Sequence, residues 1–155
     1  MIIDIRYLAI GLVFLCCFTG YLLGASSNTE GEDTVPENWH IKLKISGGFA
    51  GHRRTMELSS KGQLRVIDQK LSKQAIAQVS EKELREIASC IDSTKLIQPS
   101  GRLPNCLDCF QYVLEVRING NEFTIQLNDV SLAGSGMESL VSMLLSLQEK
   151  TFKEQ

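Results

Sequence analysis

The chain has 155 residues, 43% hydrophobic and 22% charged, with a formal net charge of −2. Such a composition suits a globular protein with one modest core. It lacks the basic footprint that nucleic-acid binding requires, which removes nucleic acid as a partner.

The even average hides an apolar N-terminus. Residues 7–25, "YLAIGLVFLCCFTGYLLGA", contain no charge, and as a helix they are long enough to cross a hydrocarbon core. Residues 1–25 therefore read as a signal peptide or a membrane anchor. Gly24, Ala25 and Ser26 offer the small residues that a signal peptidase wants, whereas a frame with Leu23 at the −3 position opposes cleavage, so both readings stay open. Cys16 and Cys17 follow the large Leu15, which argues against a lipidation site and for two apolar thiols inside the segment. Arg6 precedes the run and no Lys or Arg follows until Lys42, so the positive-inside rule directs the rest of the chain out of the cytoplasm. Residues 26–38 combine Ser, Asn, Gly and Pro36 with four acidic residues, the composition of a flexible acidic tether.

Periodic structure starts at Trp39. Ile41, Leu43 and Ile45 alternate with polar residues, as a half-buried strand demands, and residues 54–58 alternate again. Ser59, Ser60, Lys61 and Gly62 form a turn signal before a third strand over 64–67, and residues 75–79 offer a short edge pairing. Ser80 and Glu83 make a capping box, with Val79 and Leu84 as a hydrophobic staple, and Leu84, Ile87, Ala88 and Ile91 set one apolar stripe on the first helix. A surface loop with Pro99, Gly101 and Pro104 leads to a strand over 110–118. Asn119-Gly120 then turns the chain into its hairpin partner. Ser135 and Glu138 form a second capping box that opens a final helix, with Met137, Leu140, Val141, Leu144 and Leu147 as its buried face. The predicted fold is α+β: an antiparallel sheet in β-β-β-α-β-β-α order, two helices on one face, and an N-terminal hydrophobic helix before it.

Catalytic chemistry is hard to place on this pattern. The chain has no phosphate-binding glycine loop, dinucleotide fingerprint or metal-binding histidine pair, and Gly134-Ser135-Gly136 is better explained by a helix cap than by a nucleophile elbow. His40 and His52 are the only histidines, and each reads as an ordinary strand-end residue. Cys106 and Cys109 open a strand rather than a helix, so the pKa-lowering geometry of a redox pair is missing. A zinc site would need Cys90 and a histidine to complete it. In an oxidising compartment Cys106 and Cys109 suit a local disulfide, or one of them a bond to Cys90, with free thiols as the alternative. No catalytic residue, metal or cofactor is predicted.

The glycine-dense stretch "ISGGFAGHRRTMEL" (45–58), the helix opening "SEKELREI", the strand "DCFQYVLEV" and the terminal amphipathic helix, in that order, resemble the emfourin family. The resemblance spans residues 41–148. It is carried by Ser46, Gly47, Gly48, Phe49, Ala50 and Gly51, with Asp108 and Tyr112 as secondary matches, and it marks residues 39–150 as an emfourin-like domain. It implies a proteinaceous inhibitor of thermolysin- or protealysin-type metallopeptidases, which occludes the active-site cleft and has no chemistry of its own. Its partner would be the metallopeptidase, with the membrane engaged only by the N-terminal segment. The candidate contact residues are those six with His52 and Arg53. Glycine permits positive φ and close backbone approach, so the hairpin is expected to present extended main chain and Phe49 to a cleft. In two competing readings, Phe49 fills the core of a bulged hairpin, or the domain is an extracytoplasmic adaptor that inhibits nothing.

Overall fold

The structure, a computed structural model, describes residues 36–98 and 102–154. The expectations for the apolar segment and most of the tether, and for Pro99 and Gly101, lie outside the described residues.

Six strands form one antiparallel sheet: β1 Trp39–Gly47, β2 His52–Ser59, β3 Gln63–Asp68, β4 Lys73–Gln78, β5 Phe110–Ile118 and β6 Asn121–Asn128, in the order β4-β3-β2-β1-β5-β6. Helix α1 spans Glu81–Ser93, α2 Asp129–Leu132 and α3 Glu138–Lys153. The protein is thus α+β. β1 lies at the centre because the hairpin after α1 returns to its free edge, pairing Trp39 with Ile118 and Gly47 with Phe110.

Alternation dictates which face is buried. Ile41, Leu43, Met56, Leu58, Leu64, Val66, Leu114 and Ile125 point inward and join Ile87 and Ile91 of α1 and Leu140, Val141 and Leu144 of α3 in one core. Each large aliphatic side chain buried there contributes about 1.5–3 kcal/mol. The opposite face carries cross-strand charge pairs, with Lys42 Nζ 2.7 Å from Glu57 and Lys44 Nζ 2.6 Å from Glu115.

Two expectations need correction. The weak edge pairing is a full strand, in register with β3 from Lys73 to Gln78. Its inward residue is the small Ala75, while Ile76 faces solvent, so hydropathy hides the pattern. The final helix does not start at a Ser135 cap. Gly136 has φ +78°, Met137 occupies the cap position, and Ser135 Oγ instead accepts a hydrogen bond from Met137 N–H at 3.1 Å. An unexpected turn, α2, arises from Asn128, whose side chain accepts from Ser131 N–H while Asn128 N–H donates to Ser131 Oγ, both at 2.8 Å.

The capping box at α1 is formed as its sequence indicates. Glu83 N–H donates to Ser80 Oγ and Ser80 N–H to Glu83 Oε2, and Lys150 Nζ of α3 reaches Glu83 Oε1 at 3.0 Å. The Ser80 hydroxyl, then Lys150, lower the Glu83 pKa from 4.5 to about 2. A carboxyl with a depressed folded pKa stabilises the fold above its unfolded pKa and loses that effect as pH falls through its folded one. The contribution of Glu83 is therefore complete above about pH 4.5 and drains away toward about pH 2. Urea midpoints measured across this window should fall more steeply for the wild type than for Glu83→Gln. Parallel profiles would show that the box and the α1–α3 tie carry no stability.

Candidate functional site

The end of the sheet where β1 and β3 finish and β2, β4 and β5 begin gathers four connections. They are joined in a row by hydrogen bonds. Lys70 in the β3–β4 turn donates to Ala50 O in the β1–β2 turn. Gly48 N–H of that turn donates to Cys109 O at 3.2 Å, and Phe110 N–H donates to Asp129 Oδ2 of α2 at 2.8 Å. Asp129 Oδ1 also accepts from Tyr112 Oη at 2.8 Å. Burial, then this bond, pushes the Tyr112 phenol above its usual pKa, so it stays a neutral donor.

The β3–β4 turn is braced in turn. Buried Asp68 accepts from Arg54 Nε at 2.7 Å and from Leu71 N–H at 3.0 Å. Burial by itself would raise its pKa, but the Leu71 amide and the Arg54 guanidinium outweigh that and hold it below the usual carboxylate range.

The glycine stretch is a tight turn at the centre of this row. Gly51 N–H closes it by donating to Gly48 O at 2.9 Å, and Gly47, Gly48 and Gly51 have φ of +103°, +67° and +63°. The chain itself uses two of these glycines. A Cβ on Gly47 would press into the Cys109 carbonyl, and one on Gly48 would lie 2.9 Å from the Phe110 ring. At Gly48 the positive φ and the Phe110 ring both oppose a side chain, so loss of function in a Gly48 variant would not identify a contact with another molecule. With Gly48 N–H, Gly51 N–H and Ala50 O all engaged, the turn does not offer extended main chain, contrary to expectation.

Phe49 stands at the tip and is 95% exposed. The reading in which it fills the core is thereby excluded. Ser46, Ala50, Gly51 and Arg53 are exposed beside it, and half-buried His52 packs its ring 5.7 Å from that of Phe110. The contact residues named from sequence thus do come together around one tip.

The neighbouring turn was missed as a contact surface. Cys106 and Cys109 are bonded to each other, with Cα atoms 5.6 Å apart, and close a turn in which Asp108 has φ +61°. Leu107 projects from it, 96% exposed. Its signal in the sequence was a large apolar residue flanked by two cysteines, a motif read above only for its thiols. Leu71 and Val130, each more than half exposed, extend the apolar character to the outer two connections.

Cys90 is a free thiol on α1, with its sulfur 3.9 Å from Thr94 Oγ1, and His40 lies at the far end of β1 from His52. Among the described residues, no three His, Cys, Asp or Glu side chains are grouped to hold a metal ion. The arrangement can bind through shape and apolar contact. No family model matches this chain, and no curated protein matches it.

Proposed function

We propose that the chain is an emfourin-like inhibitor of a thermolysin-like metallopeptidase, held outside the cytoplasm by its N-terminal hydrophobic helix or released after cleavage. The observation that carries this reading is Phe49, 95% exposed on a turn fixed by its own hydrogen bonds and those of its neighbours. A large aromatic side chain costs little entropy to immobilise when its backbone is already ordered, which is the preorganisation a protein inhibitor needs.

The mechanism is occlusion. Phe49 enters an apolar subsite of the cleft while Ser46, Ala50, His52 and Arg53 cover its rim. A peptidase cuts an extended strand. A turn closed by the Gly51–Gly48 hydrogen bond cannot lie extended without breaking that bond and the Gly48–Cys109 bond. The bound segment therefore resists cleavage.

The full chain, kept in detergent micelles, should slow thermolysin-like peptidases at micromolar concentration or below and leave serine peptidases untouched. Failure against every thermolysin-like enzyme tried would leave the adaptor reading in its place. A reporter active only outside the cytoplasm, fused after Asn38, should give signal, and a cytoplasm-only reporter active there would overturn the topology.

A further inference from the structure

We infer that the disulfide-closed turn is a second contact limb. On this view Leu107 seats in an apolar pocket of the same partner protein that receives Phe49, and the partner's charges oppose those flanking the two limbs. The inference rests on the inhibitor reading for the identity of that partner.

Three observations lead to it. Leu107 and Phe49 are the two most exposed large apolar residues among the described residues, at 96% and 95%. The Gly48–Cys109 hydrogen bond ties their turns together, so the two side chains stand on one stiff support rather than on independent loops. Both turns are also closed internally, one by the Gly51–Gly48 bond and the other by the Cys106–Cys109 bridge. An apolar side chain left in water on a rigid turn gains nothing for the fold, while two of them on one support bind a matching pair of pockets with little further ordering cost.

The charges select the kind of partner. Arg53 follows the Phe49 turn and Lys70 reaches its Ala50 carbonyl, and neither has a carboxylate within ion-pair distance among the described residues. Exposed Asp108 sits beside Leu107. Two cations therefore flank the Phe49 turn and one carboxylate flanks Leu107. A cleft with acid near one pocket and base near the other matches that pattern. An anionic lipid surface does not, because Asp108 would face the headgroups with Leu107 inserted.

The test measures inhibition of thermolysin by the full chain in detergent, with Leu107→Ala, Phe49→Ala and Asp108→Asn as variants. Asparagine tolerates the left-handed backbone of residue 108, so the last change removes charge without strain. Leu107→Ala should raise the inhibition constant about tenfold with an unchanged Tm, and Asp108→Asn should slow association, an effect that fades as salt rises. If Leu107→Ala stays within about twofold of the wild type while Phe49→Ala weakens inhibition, the second limb is refuted and the inhibitor reading stands. If the wild type inhibits neither thermolysin nor any other thermolysin-like peptidase tried, both fall. Should both alanine variants instead reduce partition onto phosphatidylglycerol vesicles while leaving inhibition intact, the surface docks on membranes and the inference is wrong.

Discussion

Gly47→Ala should cost about 3 kcal/mol of folding stability, a fall in Tm of roughly 10–15 °C. Two effects add at this position. Its φ of +103° lies outside the left-handed helical well that other residues occasionally visit, so alanine there carries backbone strain of about 1–3 kcal/mol. The new methyl would also meet the Cys109 carbonyl, with Phe110 Cα behind it at 3.6 Å. These are backbone atoms next to the disulfide bridge and cannot rotate away as a side-chain tip would. Relief requires β1 to part from the start of β5, which also breaks the bond from Gly48 N–H to Cys109 O. Gly51→Ala is the internal control. Its φ of +63° falls in the left-handed well and its Cβ would have no neighbour within 4 Å, so it should cost only about 1 kcal/mol. Chemical denaturation of both variants decides the matter: equal costs would mean that the Gly47–Cys109 approach does not support the fold.

The contrast between these glycines bears on what the sequence could reveal. Glycine clustering marks a turn with unusual backbone needs, and so Phe49 and its neighbours were identifiable as a unit. Why Gly47 and Gly48 are needed depends on Cys109 and Phe110, which lie far away in the chain. Long-range register of that kind leaves no local pattern. The same distinction runs through the fold. Ile41, Leu43 and Ile45 alternate, and all are buried; Ser80 and Glu83 have helical spacing, and the box forms; Asn119 and Gly120 both have positive φ, as their hairpin requires. In each case the signal lies within a few residues. β4 was faint because its inward position is filled by Ala75, enough to pack against the sheet but too small to mark the inward face. Ser135 and Glu138 show that a correct local pattern can still be overruled, since the positive φ of Gly136 turns the chain between them.

For the site, what remained hidden was the support rather than the tip. Lys70 and Asp129 are unremarkable in sequence, one a turn lysine and the other an acid after a strand. The structure uses Lys70 to hold the Ala50 carbonyl and Asp129 to hold Phe110 N–H and the Tyr112 hydroxyl. Both act on residues beside the exposed side chains and so position the surface, to which Lys70 also adds its charge.

Phe49→Ala is the change that should separate binding from folding most sharply. A phenylalanine in a core would lose about 3–5 kcal/mol of stability on truncation, through lost transfer energy and a residual cavity. Phe49 has almost no protein around it to lose, at 95% exposure, so its truncation should leave stability within about 0.5 kcal/mol of the wild type. Its effect on inhibition should be large. Aromatic anchors at interface centres commonly account for 2 kcal/mol or more on truncation, which is about a 30-fold rise in the inhibition constant, and a side chain that fills its own subsite of the cleft should reach about 100-fold. The backbone of the turn does not depend on the phenyl ring, because the bonds that close it run between Gly48, Gly51 and Cys109. A loss of inhibition therefore cannot be assigned to a disordered turn, provided that thermal and urea unfolding match the wild type. If inhibition survives Phe49→Ala at full strength, the tip is a bystander and the inhibitory contact must be sought on another surface. If melting falls together with inhibition, the phenyl ring supports the fold in solution and its exposure cannot be taken as a sign of binding.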